Sequence, residues 1–280
     1  MSIAAVTKKD FQDAIRSRLI VAVTLLFVVF TASGVALGEA LPGVPSGAFL
    51  VLLLDVLLAG LRSVVPLIAI GVAYRSIAGE RTTGSLKVLL SLPNSRLDVI
   101  LGKFFGRSAV VIVAIVAGFV SLVVASALTF SGDLPAAEIF AVMGAALLLA
   151  LVFVSIAISV SAFSDSTFFA AVVAFALWIL FRMAWTGVVF LLRYAVNGFS
   201  FEDIPAEAPE WVQVMEVLNP MTAFLQSTEW LVNRVADSQE AQQTSADAFY
   251  LEPWFGFVVL ALWIVLPLVV GYLRFESADL

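Results

Sequence analysis

The chain alternates long apolar runs with short polar connections. Six runs can cross a ~30 Å hydrocarbon core as helices of about 20 residues. They lie near 19–37, 49–74, 104–130, 138–162, 168–192 and 254–274. The second and third exceed that need and should tilt or project beyond the bilayer. In residues 1–18, Ile3, Phe11 and Ile15 share one helical face, with Lys8, Lys9, Arg16 and Arg18 mostly off it. That pattern predicts a helix lying in the membrane interface. A secretory signal peptide is the competing reading. The first apolar run exceeds the usual core of about 7–15 residues, and more spans follow, which argues against it.

Between the second and third runs lies a patterned polar hinge, about 79–98, from Gly79-Glu80-Arg81 to Arg96. Leu86, Leu89, Leu90 and Pro93 fall at i, i+3, i+4 and i+7, one face of a short helix that Pro93 then ends. Two readings stand. The helix docks on a soluble partner, or it rests on lipid headgroups.

After the fifth run, about 193–253 form a long acidic connection, irregular around Pro205. Trp211, Val214, Met215 and Leu218 form an apolar stripe from Pro209, stopped by Asn219-Pro220. A second stripe follows in Phe224, Leu225, Trp230 and Leu231, and residues 238–248 are polar. Trp211, Trp230, Tyr250 and Trp254 suit the aromatic belt of a membrane interface. The connection is expected to fold back as an external cap.

With 62% hydrophobic and 13% charged residues, the fold class is an all-α polytopic membrane protein, read as one transmembrane domain over residues 1–280. There is no Cys and no His. Disulfides, thiolate metal sites and His-dependent catalysis are excluded, and no metal or cofactor is expected on this chain. Lys and Arg cluster on alternate connections. Arg75, Arg81, Lys87, Arg96, Lys103, Arg107 and Arg274 join the N-terminal basic residues on one side; Arg193 and Arg234 lie on the other. That bias puts both termini and the hinge in the cytoplasm of a plasma-membrane protein. The net charge of −6, Lys-poor, suits a high-salt source such as a haloarchaeon. Nothing points to nucleic acid.

Three charges fall inside spans and are functional candidates by default: Asp55, Arg62 and Arg182. Asp55 and Arg62, seven residues apart, share a face and could snorkel to the outer interface. Arg182 is deeper. It pairs with Asp55 across the bundle, or it attracts an anionic headgroup. Small residues at Gly106, Ala109, Ala114, Ala117, Gly118, Gly144, Ala145 and Ala146 permit close helix packing. No phosphate-binding loop, G-x-S-x-G or H-E-x-x-H is present, so the chain is not expected to be an enzyme.

The series Glu80…Gly84-Ser85-Leu86…Leu89-Leu90-Ser91-Leu92-Pro93…Arg96…Leu101-Gly102-Lys103 resembles the signature of ABC-2 type transporter permeases, with Ser85 for the usual Thr. Pro66-Leu67-Ile68-Ala69, Leu218-Asn219-Pro220 and the Phe275-Glu276…Asp279 tail also fit. The branch it resembles most is the NosY-like one. The resemblance implies a dimer, expected to be a homodimer, with two separate ATPase subunits that carry ATP and Mg. The hinge would be the coupling helix seated in the ATPase. Leu86, Leu89 and Leu90 would be apolar anchors, and Glu80 and Arg81 would pair with polar groups or steady the hinge. Leu218, Asn219 and Pro220 would form an external gate, with a static cap as the alternative. The function implied is ATP-driven export of an amphipathic or anionic substrate. The alternative is a membrane anchor that transmits force to an external accessory protein, as in NosY-like maturation of a copper enzyme. A copper path is not expected here, because the five Met are scattered.

Overall fold

The computed structural model describes residues 3–15, 18–39, 46–91, 95–129, 135–200, 209–235 and 248–277. Pro93, Arg16, Pro205, Asp279 and most of the polar stretch 238–248 lie outside them. The described residues are helical, without a strand: α1 Ile3–Ile15, α2 Arg18–Glu39, α3 Ser46–Ala73, α4 Ala78–Thr83, α5 Ser85–Ser91, α6 Arg96–Thr129, α7 Ala136–Phe163, α8 Thr167–Ile179, α9 Trp185–Val196, α10 Glu210–Val217, α11 Pro220–Val235 and α12 Phe255–Glu276. A π-turn, Leu180–Ala184, joins α8 to α9.

Among the described residues, five helices are long and apolar enough to cross a membrane: Asp55–Thr83, Arg96–Leu128, Ala136–Phe163, Thr167–Val196 and Phe255–Glu276. The first expected run is the 22-residue helix α2, which contains the apolar segment Thr24–Ser33. The third span starts eight residues before the expected 104, because Ser95 and Asp98 form a reciprocal cap there. The Ser95 amide and hydroxyl donate to Asp98 Oδ2 at 2.9 and 2.7 Å, and the Asp98 amide donates back to Ser95 Oγ at 3.0 Å.

α7 is the central post. It is apolar on every side, as a helix surrounded by others must be. Two-thirds of its span is buried (67%), against 17% for Thr167–Val196. The backbones come close where the residues are small. Gly271 of α12 abuts Ser159 of α7, and the Ser155 hydroxyl donates to the Ile264 carbonyl at 2.6 Å. Gly118 of α6 receives the Phe27 ring of α2, and Thr31 Oγ1 donates to the Gly118 carbonyl at 2.9 Å. Gly102 and Gly106, one turn apart, accept α1. A Cβ at either would collide with Val6 or Asp10.

Two stripes differ from expectation. α1 turns Val6, Asp10 and Ala14 inward rather than Phe11, which is half-buried. α10 buries Val212 and Val217, while Val214 and Leu218 stay exposed. The stripe around Trp211 was a choice among adjacent apolar positions, and packing against neighbouring helices decided it. α11 is anchored to the spans. It packs along α7 and α12, burying Met221, Ala223, Phe224 and Ser227, with Gly256 against the Ala223 carbonyl.

Candidate functional site

The hinge is built as two short helices broken at Gly84. That residue has φ +74°, the left-handed region that only glycine enters freely, and its amide donates to the Arg81 carbonyl at 3.1 Å. The start of α4 would leave amides orphaned in a buried place. The buried Ser161 hydroxyl at the end of α7 accepts from both Ile77 and Ala78, at 3.0 and 2.9 Å.

Arg81 grips the same end of α7. It donates to the carbonyls of Ala162 and Ser164 at 3.0 and 3.2 Å and pairs with Asp165 at 2.9 Å. Asp165 is 94% exposed, so the ion pair contributes little. The carbonyls hold Arg81, as a cation at a helix C-terminus is held. On the other side, Glu80 Oε1 meets Lys103 Nζ at 2.8 Å. Lys103 is almost wholly buried and also reaches Asp10 Oδ1 at 3.4 Å. Arg107 pairs with Asp10 at 2.8 Å and donates to the Val72 carbonyl at 3.2 Å. Two acids and two bases thus form a neutral knot joining α1, α3, α4 and α6. Losing one member of such a buried set costs about 3–5 kcal/mol.

Leu86 and Leu89 are turned into this chain's own core, and Leu90 is half-buried. The anchors proposed for a partner are therefore already seated. The surface α5 offers outward is Lys87, Val88 and Ser91, with Val88 67% exposed. Arg96 leaves the hinge to cap α12, donating to the carbonyls of Phe275 and Glu276 and stacking 5.4 Å over the Phe275 ring. Gly102 serves α1 packing, and Ser85 is exposed beside Thr83. So Glu80, Arg81, Gly84, Leu86, Leu89, Arg96, Gly102 and Lys103 build one rigid end of the bundle.

Away from the hinge, Leu218-Asn219-Pro220 ties helices together. Asn219 Oδ1 accepts from the Met221 amide at 2.8 Å, capping α11, which Pro220 begins. Asn219 Nδ2 donates to the Phe181 carbonyl of the π-turn at 2.9 Å. The Leu218 carbonyl accepts from Trp263 of α12 at 2.8 Å.

The intramembrane charges fall differently from expectation. No ion pair joins Asp55 and Arg182 among the described residues; Asp55 is exposed, and Arg182 Nε donates to Ser63 Oγ at 3.2 Å. Arg62 lies near the middle of α3 and is partly buried.

Asp10, Ser161 and Arg107 were not singled out from the sequence as site residues. Asp10 had a signal: with Ile3, Val6 and Ala14 it follows helical spacing, so it puts a carboxylate on an apolar face. Lys103 and Arg107, four apart, offered the matching charges. Ser161 carried no signal.

A bundle of long apolar helices with a built hinge at one end is the architecture of a multi-pass membrane protein. The ABC-2 family transporter protein model matches residues 4–280, and this chain belongs to that family. It is similar to the "Probable ABC transporter permease protein NosY" of Stutzerimonas stutzeri, 30% identical over 223 residues, 78% of each chain. The protein of the same name from Pseudomonas aeruginosa is 31% identical over 180 residues, 63% of this chain and 65% of that one.

Proposed function

We propose that this chain is the permease subunit of an ABC-2 exporter whose ATP and Mg are held by two separate ATPase subunits. α5 is the coupling helix, and Lys87, Val88 and Ser91 are its docking face. The observation that carries this reading is that exposed face on a helix whose other side is locked into the core at Leu86 and Leu89. A partner pushing there moves α4, α6 and α7 together through Arg81, Lys103 and Ser161, as a rigid-body transmission requires. In this reading the hinge and both termini are cytoplasmic, the functional unit contains two copies of the chain, and the substrate is amphipathic or anionic.

A second reading keeps the ATPase but moves no solute: force passes to an external accessory protein. It is favoured by the bonds from Asn219 and Leu218 to the π-turn and to α12, which couple α10 and α11 to span motion. Co-purification in mild detergent tests the shared core. An ATP-hydrolysing subunit accompanies the native chain and is lost with Lys87→Glu/Val88→Asp, a variant that still folds. If no ATPase accompanies the native chain, the reading fails. ATP-dependent movement of a fluorescent anionic amphiphile in vesicles holding the complex separates export from anchoring.

A further inference from the structure

The hinge end neutralises its charges. The middle of the bundle does not. Arg62 lies near the middle of α3, and Arg182 near the middle of the run Thr167–Val196, inside the π-turn. Arg182 Nε donates to the hydroxyl of Ser63, the residue after Arg62, which brings the second guanidinium beside the first. Arg62 makes no hydrogen bond or ion pair among the described residues, and its Nε is buried. One turn before Arg182, the buried indole N–H of Trp178 is also without a partner. Asp55 is seven residues from Arg62, about 10 Å along the helix axis, beyond ion-pair reach.

Two neighbouring cations at mid-membrane depth repel in a medium of low dielectric, and each is costly there alone. Orphaned donors add to that cost. A single bound oxyanion offsets all three at once. Guanidinium forks match the oxygens of phosphate, sulfate or carboxylate groups. π-turns recur where a helix presents a functional group.

We infer that Arg62 and Arg182, with Ser63 positioning Arg182, form a subsite between α3 and the π-turn for the oxyanionic head of a ligand. As a substrate subsite it rests on the permease reading. As a binding site it stands apart from the ATPase and is tested apart from it. The head arrives on an amphiphile from the lipid phase or as a free anion from water.

The test is equilibrium binding to the full chain in nanodiscs of zwitterionic phosphatidylcholine, with radiolabelled dodecyl phosphate and inorganic phosphate as probes. Saturable binding of a probe is expected. Arg62→Gln and Arg182→Gln each weaken it tenfold or more, and Arg182→Lys weakens it less. Dodecyl phosphate binding that inorganic phosphate does not displace assigns the site to a membrane-borne amphiphile. Binding of inorganic phosphate itself, lost in the same variants, assigns it to a free anion. Absence of saturable binding of either probe, or binding unchanged in Arg182→Gln, overturns the inference. Should Arg62→Gln not fold, the Arg182 pair of variants decides. Co-purification of an ATPase does not depend on these residues, so failure here leaves the permease reading standing, and failure there leaves this binding result standing.

Discussion

Two groups of charges sit in this bundle under opposite rules. At the hinge end Asp10, Glu80, Lys103 and Arg107 contact one another within 2.8 to 3.4 Å, acid balanced by base. Arg182 donates to the hydroxyl of Ser63, the neighbour of Arg62, and among the described residues no acid pairs with either arginine. The first group is balanced in charge without a ligand, even with Glu80 Oε2 and the nearby Arg81 Nε unpartnered, and it holds elements in place. The second is unbalanced, and its cost is tolerable only if something else occupies it. Burial alone does not separate a structural charge from a binding one; the balance of acid against base around it does.

The largest effect should come from breaking the balanced group. Lys103→Met leaves the part-buried Glu80 without its cation and Asp10 with Arg107 alone, and should cost about 3–5 kcal/mol, read as a large drop in melting temperature in detergent. Next, Ser161→Ala orphans the Ile77 and Ala78 amides at the start of α4 and should cost about 1–3 kcal/mol in the same assay. Asn219→Ala removes the cap of α11 and its bond to the π-turn and should cost about 1–2 kcal/mol, with faster hydrogen exchange confined to α11 and Leu180–Ala184. The smallest effect belongs to the unbalanced group. Removing one of two like charges with Arg182→Gln should leave the melting temperature unchanged or raise it. A drop as large as that of Lys103→Met would erase the distinction between the two groups.

The apolar runs made the span architecture legible, because hydrocarbon admits few alternatives to helices of that length. The hinge was legible too: Gly84 needs a backbone that glycine provides, and Leu86 and Leu89 share a face. What the pattern could not say was which way that face turns. An amphipathic helix shows the same spacing whether it packs on its own bundle or on a partner, and here the bundle took the leucines. The charge knot was half legible. Glu80 and Lys103 stood in the motif, but Asp10 lies 93 residues from Lys103 and meets it only because Gly102 and Gly106 let α1 approach. The stripe on α10 was misjudged because several adjacent positions are apolar, and only tertiary packing chooses among them. Arg62 and Arg182 were visible as costly charges. Their adjacency was not, since it depends on the π-turn, which periodicity does not reveal.

The central claim is that α5 presents Lys87, Val88 and Ser91 to an ATPase while its leucines stay inside. The chain has no native cysteine, so single-cysteine cross-linking is free of background. In native membranes a short bifunctional thiol reagent should join Val88→Cys to the ATPase subunit, whose own cysteine is placed in the groove facing α5. Leu86→Cys, buried in the core, should not react. Cross-linking at Leu86 and none at Val88 would show that the helix is turned the other way and contradict the account.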